Sequence, residues 1–248
     1  MDSLTPSPQL GMVVKRLLGA LTDSRMMTPS IEPLKQPATL DLRKLNQRFD
    51  KAHPKDILAW CLFHIPTGLV QVSDFNVDDL LITDLLYRDL RPSPAIPVLF
   101  LDTLHHFPQT LELVAAATQL YPLTLKTYKV AGASTRKTFA TKFGKTLWEK
   151  DPDRFAHLTR QEPLQRGLSE LQAIAWVTGR RRDLAPHLAE MPIFELDDQR
   201  RLRVNPLANW TRKETWAYVF EHDVIYNPLH DQGYPNIGDE PITPCIRT

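Results

Sequence analysis

The chain has 248 residues, 42% hydrophobic and 24% charged, with a formal net charge of +1. That length suits one large α/β domain or two small ones, and the near-neutral balance sets up no global field for nucleic acid or a membrane surface. No window reaches the ~18 apolar residues of a membrane-spanning helix, the opening residues lack a clean secretory leader, and two cysteines, Cys61 and Cys245, make no disulfide framework; a reducing, cytoplasmic setting is the expectation.

Residues 1–38 read as an N-terminal arm, partly disordered or used for docking. Pro6, Pro8, Pro29, Pro33 and Pro37 punctuate it around one short amphipathic piece, Val13–Leu21. Residues 39–248 read as one domain. Leu42, Leu45 and Phe49 stand at helical spacing, and a second helix is predicted from Pro54, with Ile57 and Cys61 on one face and Cys61 a small buried hydrophobe. "GLVQVS" predicts a strand, Ser73–Asp79 a loop, and the run through Leu81, Leu85 and Tyr87 a helix. "AIPVLFLD" is the next strand, "PQTLELVAAATQLY" the next helix and "LTLKTYKV" the next strand. A long polar-helical region covers Ser134–Leu171, "AIAWVTG" and "PIFELD" are strands, and Thr211 with Glu214 forms a capping box at the head of a last helix. The five tryptophans read as core or domain-edge anchors. Strands alternating with helices of ten or more residues predict an α/β fold, a parallel sheet with helices on both faces, and "VLFL" and "AIAWV" are apolar enough to be buried on both sides.

In such sheets ligands bind at the carboxyl ends of the strands, where loops enter helix N-termini. Asp102 and Thr103 end one apolar strand, so they either edge a crevice or cap a turn. Arg180, Arg181 and Arg182 follow Gly179 at the end of another. Guanidinium forks match phosphate and sulfate oxygens; the alternative is a solvated arginine run. With Lys142, Lys145, Arg160 and Arg166 they suggest a basic pocket for a polyanionic small molecule such as a nucleotide. His105 and His106 lack a ligand set at zinc spacing, which favours packing or hydrogen bonding over a metal site.

The segments "LDTLHHFPQTLEL", "FATKFGKTLWEKDPDRF", "EPLQRGLSEL", "AWVTGRRRD" and "NPLANWTRKETWAYVFEHDVIYNPLHDQGYPNIGDEP" occur in this order between Asp41 and Pro241. In them the chain resembles the 3'-phosphoadenylyl-sulfate (PAPS) reductases, especially of cyanobacterial and fungal type. The resemblance implies an adenine nucleotide α-hydrolase-like fold. It implies reduction of PAPS to sulfite and adenosine 3',5'-bisphosphate in assimilatory sulfate reduction, with thioredoxin or glutaredoxin as electron donor, and it allows a homodimer. It places Ser73 and Phe75 in the phosphate loop, Asp102 and Thr103 near the ribose or base, and Lys145, Arg160, Arg180, Arg181 and Arg182 on the anionic groups. Relatives that use adenylyl sulfate often hold an iron–sulfur cluster through paired cysteines. "DPDRFAHLTRQEP" has none, and two cysteines cannot supply four ligands; no iron–sulfur cofactor is expected, and PAPS is the favoured substrate.

Three departures accompany the resemblance. The nucleophilic cysteine of the family's Glu-Cys-Gly-Leu/Ile-His tail is expected beyond Thr248, and Cys245, between Pro244 and Ile246, does not fit that motif. The loop "SDFNVDD" has no glycine, and its Asp74, Asp78 and Asp79 would repel a phosphate unless they face away or cap the following helix. The arginine loop continues "DLAPHLAEM", without the usual Ser or Thr and further Arg. These leave a second reading, a nucleotide-binding paralogue without catalysis. A third, an ATP-cleaving sulfur-transfer or adenylating enzyme, fits the loop poorly.

Overall fold

The computed structural model describes residues 40–245. The expected N-terminal arm, including Val13–Leu21, lies outside them. Helices α1 (Leu42–Phe49) and α2 (Pro54–His64) come first. They are capped by Asp41 and His53, whose side chains accept from the Lys44 and Lys55 N–H groups. Phe49 and Trp60 meet Phe194 at ring distances of 5.5 and 5.2 Å, anchoring both helices. Strand β1 (Leu69–Val72) leads into α3 (Val77–Asp84), which runs on as a π-helical turn over Leu85–Leu90. Strand β2 (Pro97–Asp102), α4 (Pro108–Leu120) and β3 (Thr124–Lys129) follow.

The polar-helical region Ser134–Leu171 is divided into α5 (Arg136–Phe143), α6 (Leu147–Lys150), α7 (Pro152–Ala156), a π-helical turn and α8 (Glu162–Glu170). Gly144 ends α5 at φ 109°. Pro152 turns the residue before it out of the helical region and restarts the chain as α7. Strand β4 (Ala175–Val177), β5 (Phe194–Leu196), β6 (Leu202–Val204) and α9 (Arg212–Glu221) complete the domain. The Thr211–Glu214 capping box forms as expected. Strand β6 is an addition to the predicted elements. Three residues give no period to read, and β6 exists because it pairs with both β4 and β5.

The sheet order is β3-β2-β1-β4-β6-β5, parallel throughout except for β5, which runs antiparallel to β6. One face packs Leu69, Val98, Phe100, Val177 and Val204 against α2, α3, α4 and α9. The other packs Val70, Leu99, Leu101 and Trp176 under Leu164 and Leu168 of α8. Gly167 brings α8 close, since a Cβ there would lie 2.6 Å from Leu99 Cδ1. Phe139, Leu147 and Phe155 of α5–α7 form a separate small core.

Asp84, at the end of α3, is buried. It accepts from the hydroxyls of Tyr121 and Tyr218, both at 2.9 Å, and meets Arg88 Nε at 3.1 Å. Burial and this carboxylate push both tyrosine hydroxyls up. Asp84→Asn keeps the volume but removes one acceptor and the charge. It is expected to lower stability by about 1–3 kcal/mol, read from the urea midpoint at unchanged m-value.

Candidate active site at the sheet switch point

Chain order reverses between β1 and β4, so the loops leaving these neighbouring parallel strands flank a topological switch point. Strand β2 lies on the other side of β1 and ends at the same edge. The arginines after Trp176 and the acid after Phe100 therefore do share one edge of the sheet. Both loops beside β1 and β2 are backbone-strained. Phe75 (φ 56°) and Leu104 (φ 65°) occupy the left-handed region without being glycine, a feature that gathers at ligand sites. In a loop without glycine, Phe75 takes the left-handed position and is held by burial edge-on to Phe100 at 5.5 Å. Ser73 Oγ accepts from Phe75 N–H at 3.1 Å and the Ser73 N–H donates to the Leu99 carbonyl at 2.9 Å. Ser73 shapes the turn, and Phe75 is part of the core beneath it.

Asp78 and Asp79 stand at the N-terminus of α3 without being its cap. Asn76 is the cap, accepting from Asp79 N–H at 2.9 Å. Asp78 and Asp79 lie buried in the first turn of α3. Asp78 pairs with Arg181. Asp79 accepts the N–H of Asp74 at 2.8 Å on one oxygen and the N–H of Gly179 at 3.0 Å on the other. Burial raises Asp78, with Arg181 opposing. Burial, then the nearby Asp74 and Asp78, raise Asp79 well above its ordinary 3.8 against the pull of the two N–H donors.

A raised carboxyl pKa means that the folded chain binds the proton more tightly than the unfolded one. Asp79 therefore withdraws stability as pH rises from about 3.8 toward its raised value. Asp79→Asn removes that contribution. The gap in unfolding free energy between the two proteins is expected to widen in favour of the variant over this window, measured by denaturant titration at a series of pH values. A gap independent of pH would mean that Asp79 stays ionised.

The arginine run is not a solvated strip, nor do its members converge on an open pocket. Arg181 is 4% exposed, tied to Asp78 and, at 2.8 Å, to Asp183. Arg182 donates to the Met191 carbonyl at 2.8 Å and to Asn209. Arg180 is half-buried, 3.3 Å from Glu195, which also takes Arg203 at 2.7 Å. Burial and then Arg203 lower the Arg180 pKa, with Glu195 opposing. Arg160, from the π-helical turn before α8, reaches the loop after β1: Nη1 meets Asp74 at 2.9 Å and Nη2 meets Asp239 at 3.3 Å. Burial pulls its pKa down, but these two carboxylates together hold it above its ordinary value. Lys145 is exposed between α5 and α6 and makes no ion pair among the described residues.

Asp102 caps its own turn, accepting from Leu104 N–H at 2.8 Å, and pairs with Lys129 at 2.8 Å. Thr103 is fully buried and donates its hydroxyl to Asp239. The turn that Asp102 caps lies at the carboxyl edge of the sheet, beside the loop after β1. His105 sits among Phe139, Trp148 and Phe155, and burial lowers its pKa. The imidazole Nε2 of His106 lies 2.9 Å from the Leu101 carbonyl.

Asp239 escaped the sequence reading. It is 1% exposed and accepts from Thr103 and Arg160. Its main chain bridges antiparallel to His106, and the neighbouring Glu240 N–H donates to the His105 carbonyl at 2.8 Å. The C-terminal segment is thereby clasped over the end of β2. Nothing local marks this aspartate, whose partners lie 136 and 79 residues away.

A sequence model of the phosphoadenosine phosphosulfate reductase domain family matches residues 68–245, which contain every element from β1 onward. This chain belongs to the phosphoadenosine phosphosulfate reductase domain family. It is 40% identical over 200 residues to a phosphoadenosine phosphosulfate reductase of Emericella nidulans, covering 80% of this chain and 65% of that protein's length. It is 38% identical over 203 residues to an adenosine 5'-phosphosulfate reductase of Salinibacter ruber, covering 82% of this chain and 78% of that one. The crystal structure of phosphoadenylyl-sulfate (PAPS) reductase from Candida auris, a phosphate complex, superposes with a TM-score of 0.74 at 32% identity, over 89% of this chain and all of that one. The fold of this PAPS reductase family member is thus the adenine nucleotide α-hydrolase-like one, a mostly parallel six-stranded sheet with flanking helices. Within the family frame, the switch-point loops are the site to test.

Proposed function

We propose that this chain receives PAPS at the carboxyl edge of β1, β2 and β4, and that the protein reduces it to sulfite and adenosine 3',5'-bisphosphate with two electrons from thioredoxin or glutaredoxin. The observation that carries the reading is Arg160. It stands between the loop after β1 and the clasp at Asp239, and two of its five N–H donors are engaged among the described residues. The others are available to a sulfuryl or phosphoryl oxygen, the kind of charge that guanidinium groups stabilise in group transfer. Arg180 adds positive charge at the neighbouring strand end.

In the proposed reaction a cysteine thiolate attacks the sulfur of the sulfuryl group. The bond from sulfur to the bridging oxygen breaks, and adenosine 3',5'-bisphosphate leaves with the electron pair. A donor thiolate then attacks the cysteine sulfur of the resulting S-sulfocysteine and releases sulfite. The donor's second thiolate resolves the mixed disulfide, returning the cysteine and leaving the donor oxidised by two electrons. Cys61 is unsuited to this role, being fully buried with burial pushing its thiol up. Cys245 Sγ faces the Gln232 carbonyl at 3.6 Å, and its neighbours Pro244 and Ile246 do not match the tail motif. The proposal therefore assigns the nucleophile to the Glu-Cys-Gly-Leu/Ile-His tail implied by the resemblance.

The buried Asp79, set where main-chain donors would meet a phosphate, favours a second reading: a nucleotide-binding paralogue that does not turn over. One experiment separates the two. Full-length protein is incubated with PAPS and reduced thioredoxin, and binding of adenosine 3',5'-bisphosphate is measured by calorimetry. Sulfite in step with the bisphosphate supports the reductase. Binding without sulfite supports the paralogue, and neither signal at millimolar ligand overturns both.

A further inference from the structure

We propose that the carboxyl group of Asp79 is a built-in occupant of the oxyanion position at the switch point, and that this residue sets how tightly the chain takes a phosphorylated or sulfated ligand. The inference deepens the proposed function and rests on the nucleotide binding at this edge.

The geometry is that of a filled anion site. Main-chain N–H groups at the ends of two adjacent parallel strands are the donors that an open α/β sheet offers to a ligand's oxyanion. Here those donors are the N–H groups of Asp74, after β1, and Gly179, after β4. Each gives its hydrogen bond to a different oxygen of one side chain, Asp79. A carboxyl group and a phosphoryl group both present two oxygens to such a pair. Gly179 makes the closure possible, because a Cβ at that position would lie 2.6 Å from Asp79 Oδ1 and 2.9 Å from its main-chain nitrogen. The residue is pinned at both ends of its peptide unit: its N–H donates to Asn76, and its carbonyl accepts from Gln71 Nε2 at 3.0 Å.

The occupancy does not depend on charge, because the oxygens accept from the two N–H groups in either protonation state. A ligand oxyanion must displace this side chain to reach them, and it would then meet Asp74 and Asp78 nearby. Shortening the side chain uncovers both donors and leaves space beside Gly179.

The test uses full-length protein, Asp79→Ser and Asp79→Asn. Calorimetric titrations are made with adenosine 3',5'-bisphosphate and, as a probe free of nucleoside, inorganic pyrophosphate. Thermal melts check folding. Two uncovered donors to an anion correspond to about tenfold tighter binding by Asp79→Ser, with a smaller gain in Asp79→Asn, whose amide retains one acceptor. If the serine variant does not fold, the asparagine variant decides. Folded variants that bind both probes no more than twofold tighter than the parent overturn the inference, while bisphosphate binding by the parent leaves the functional reading in place. Variants that gain pyrophosphate binding while no protein takes the bisphosphate support the inference and count against the reading. No binding of either probe by any of the proteins overturns both.

Discussion

Arg181→Ala is expected to cost about 3–5 kcal/mol of folding stability, a larger effect than any loss of ligand binding that it brings. The guanidinium is buried beside Asp78 and Asp183, joining the arginine loop after β4 to the first turn of α3 and, through Asp183, to the first residue of α9. Removing it leaves the Asp78 carboxyl without its counter-charge in a site where burial already disfavours ionisation. The variant must either bury a bare charge or take up a proton. Replacing both partners, Arg181→Met with Asp78→Asn, is expected to recover most of the loss, because a buried ion pair is worth far less than the penalty for breaking it. Urea denaturation of the parent, Arg181→Met, Asp78→Asn and the double variant closes a double-mutant cycle. Equal losses for the single and the double variant would show that Arg181 acts through contacts other than Asp78. In an arginine-rich loop at a strand end, this residue is the strut that holds the loop in place.

Arg160→Ala is expected to weaken adenosine 3',5'-bisphosphate binding, and kcat/KM for PAPS, by about 10–100-fold, the range for losing hydrogen bonds to a charged group. It also leaves Asp74 and the buried Asp239 without their shared cation, so a drop in melting temperature should accompany the loss. Arg160→Lys separates the two effects. A lysine restores the positive charge between the carboxylates but not the planar fork that takes two oxygens at once. Stability is expected to return in the lysine variant while much of the binding defect stays. Full recovery of binding by lysine would reduce Arg160 to a clasp between the two loops.

Much of the domain was legible from residue patterns. Apolar runs such as "VLFL" and "AIAWV" marked buried parallel strands, and the Thr211–Glu214 box marked the start of the last helix. Two details have local causes. Gly144 and Pro152 divide the polar-helical region into separate helices. Strand β6, Leu202–Val204, was too short for a period and is held by its neighbours on both sides. The candidate site was legible by position and illegible by partnership. Arg181 could be placed at the carboxyl edge and Arg160 in a basic group, but their partners Asp78 and Asp239 lie 103 and 79 residues away. Asp79 looked like a helix-capping acid, and nothing in "NVDDLL" shows that Gly179 reaches it.

By itself the sequence determined the alternation of strands and helices, the edge of the sheet where charge gathers, and the resemblance that the family match bears out. These follow from side-chain chemistry acting over a few residues, through burial periodicity, caps and turns. The tertiary structure alone decided which charges neutralise one another, which arginine bridges the loop after β1 to the C-terminal clasp, and which carboxyl group fills the main-chain donors at the switch point. Those outcomes depend on distance and burial, and both are set when strands a hundred residues apart in sequence come to lie side by side.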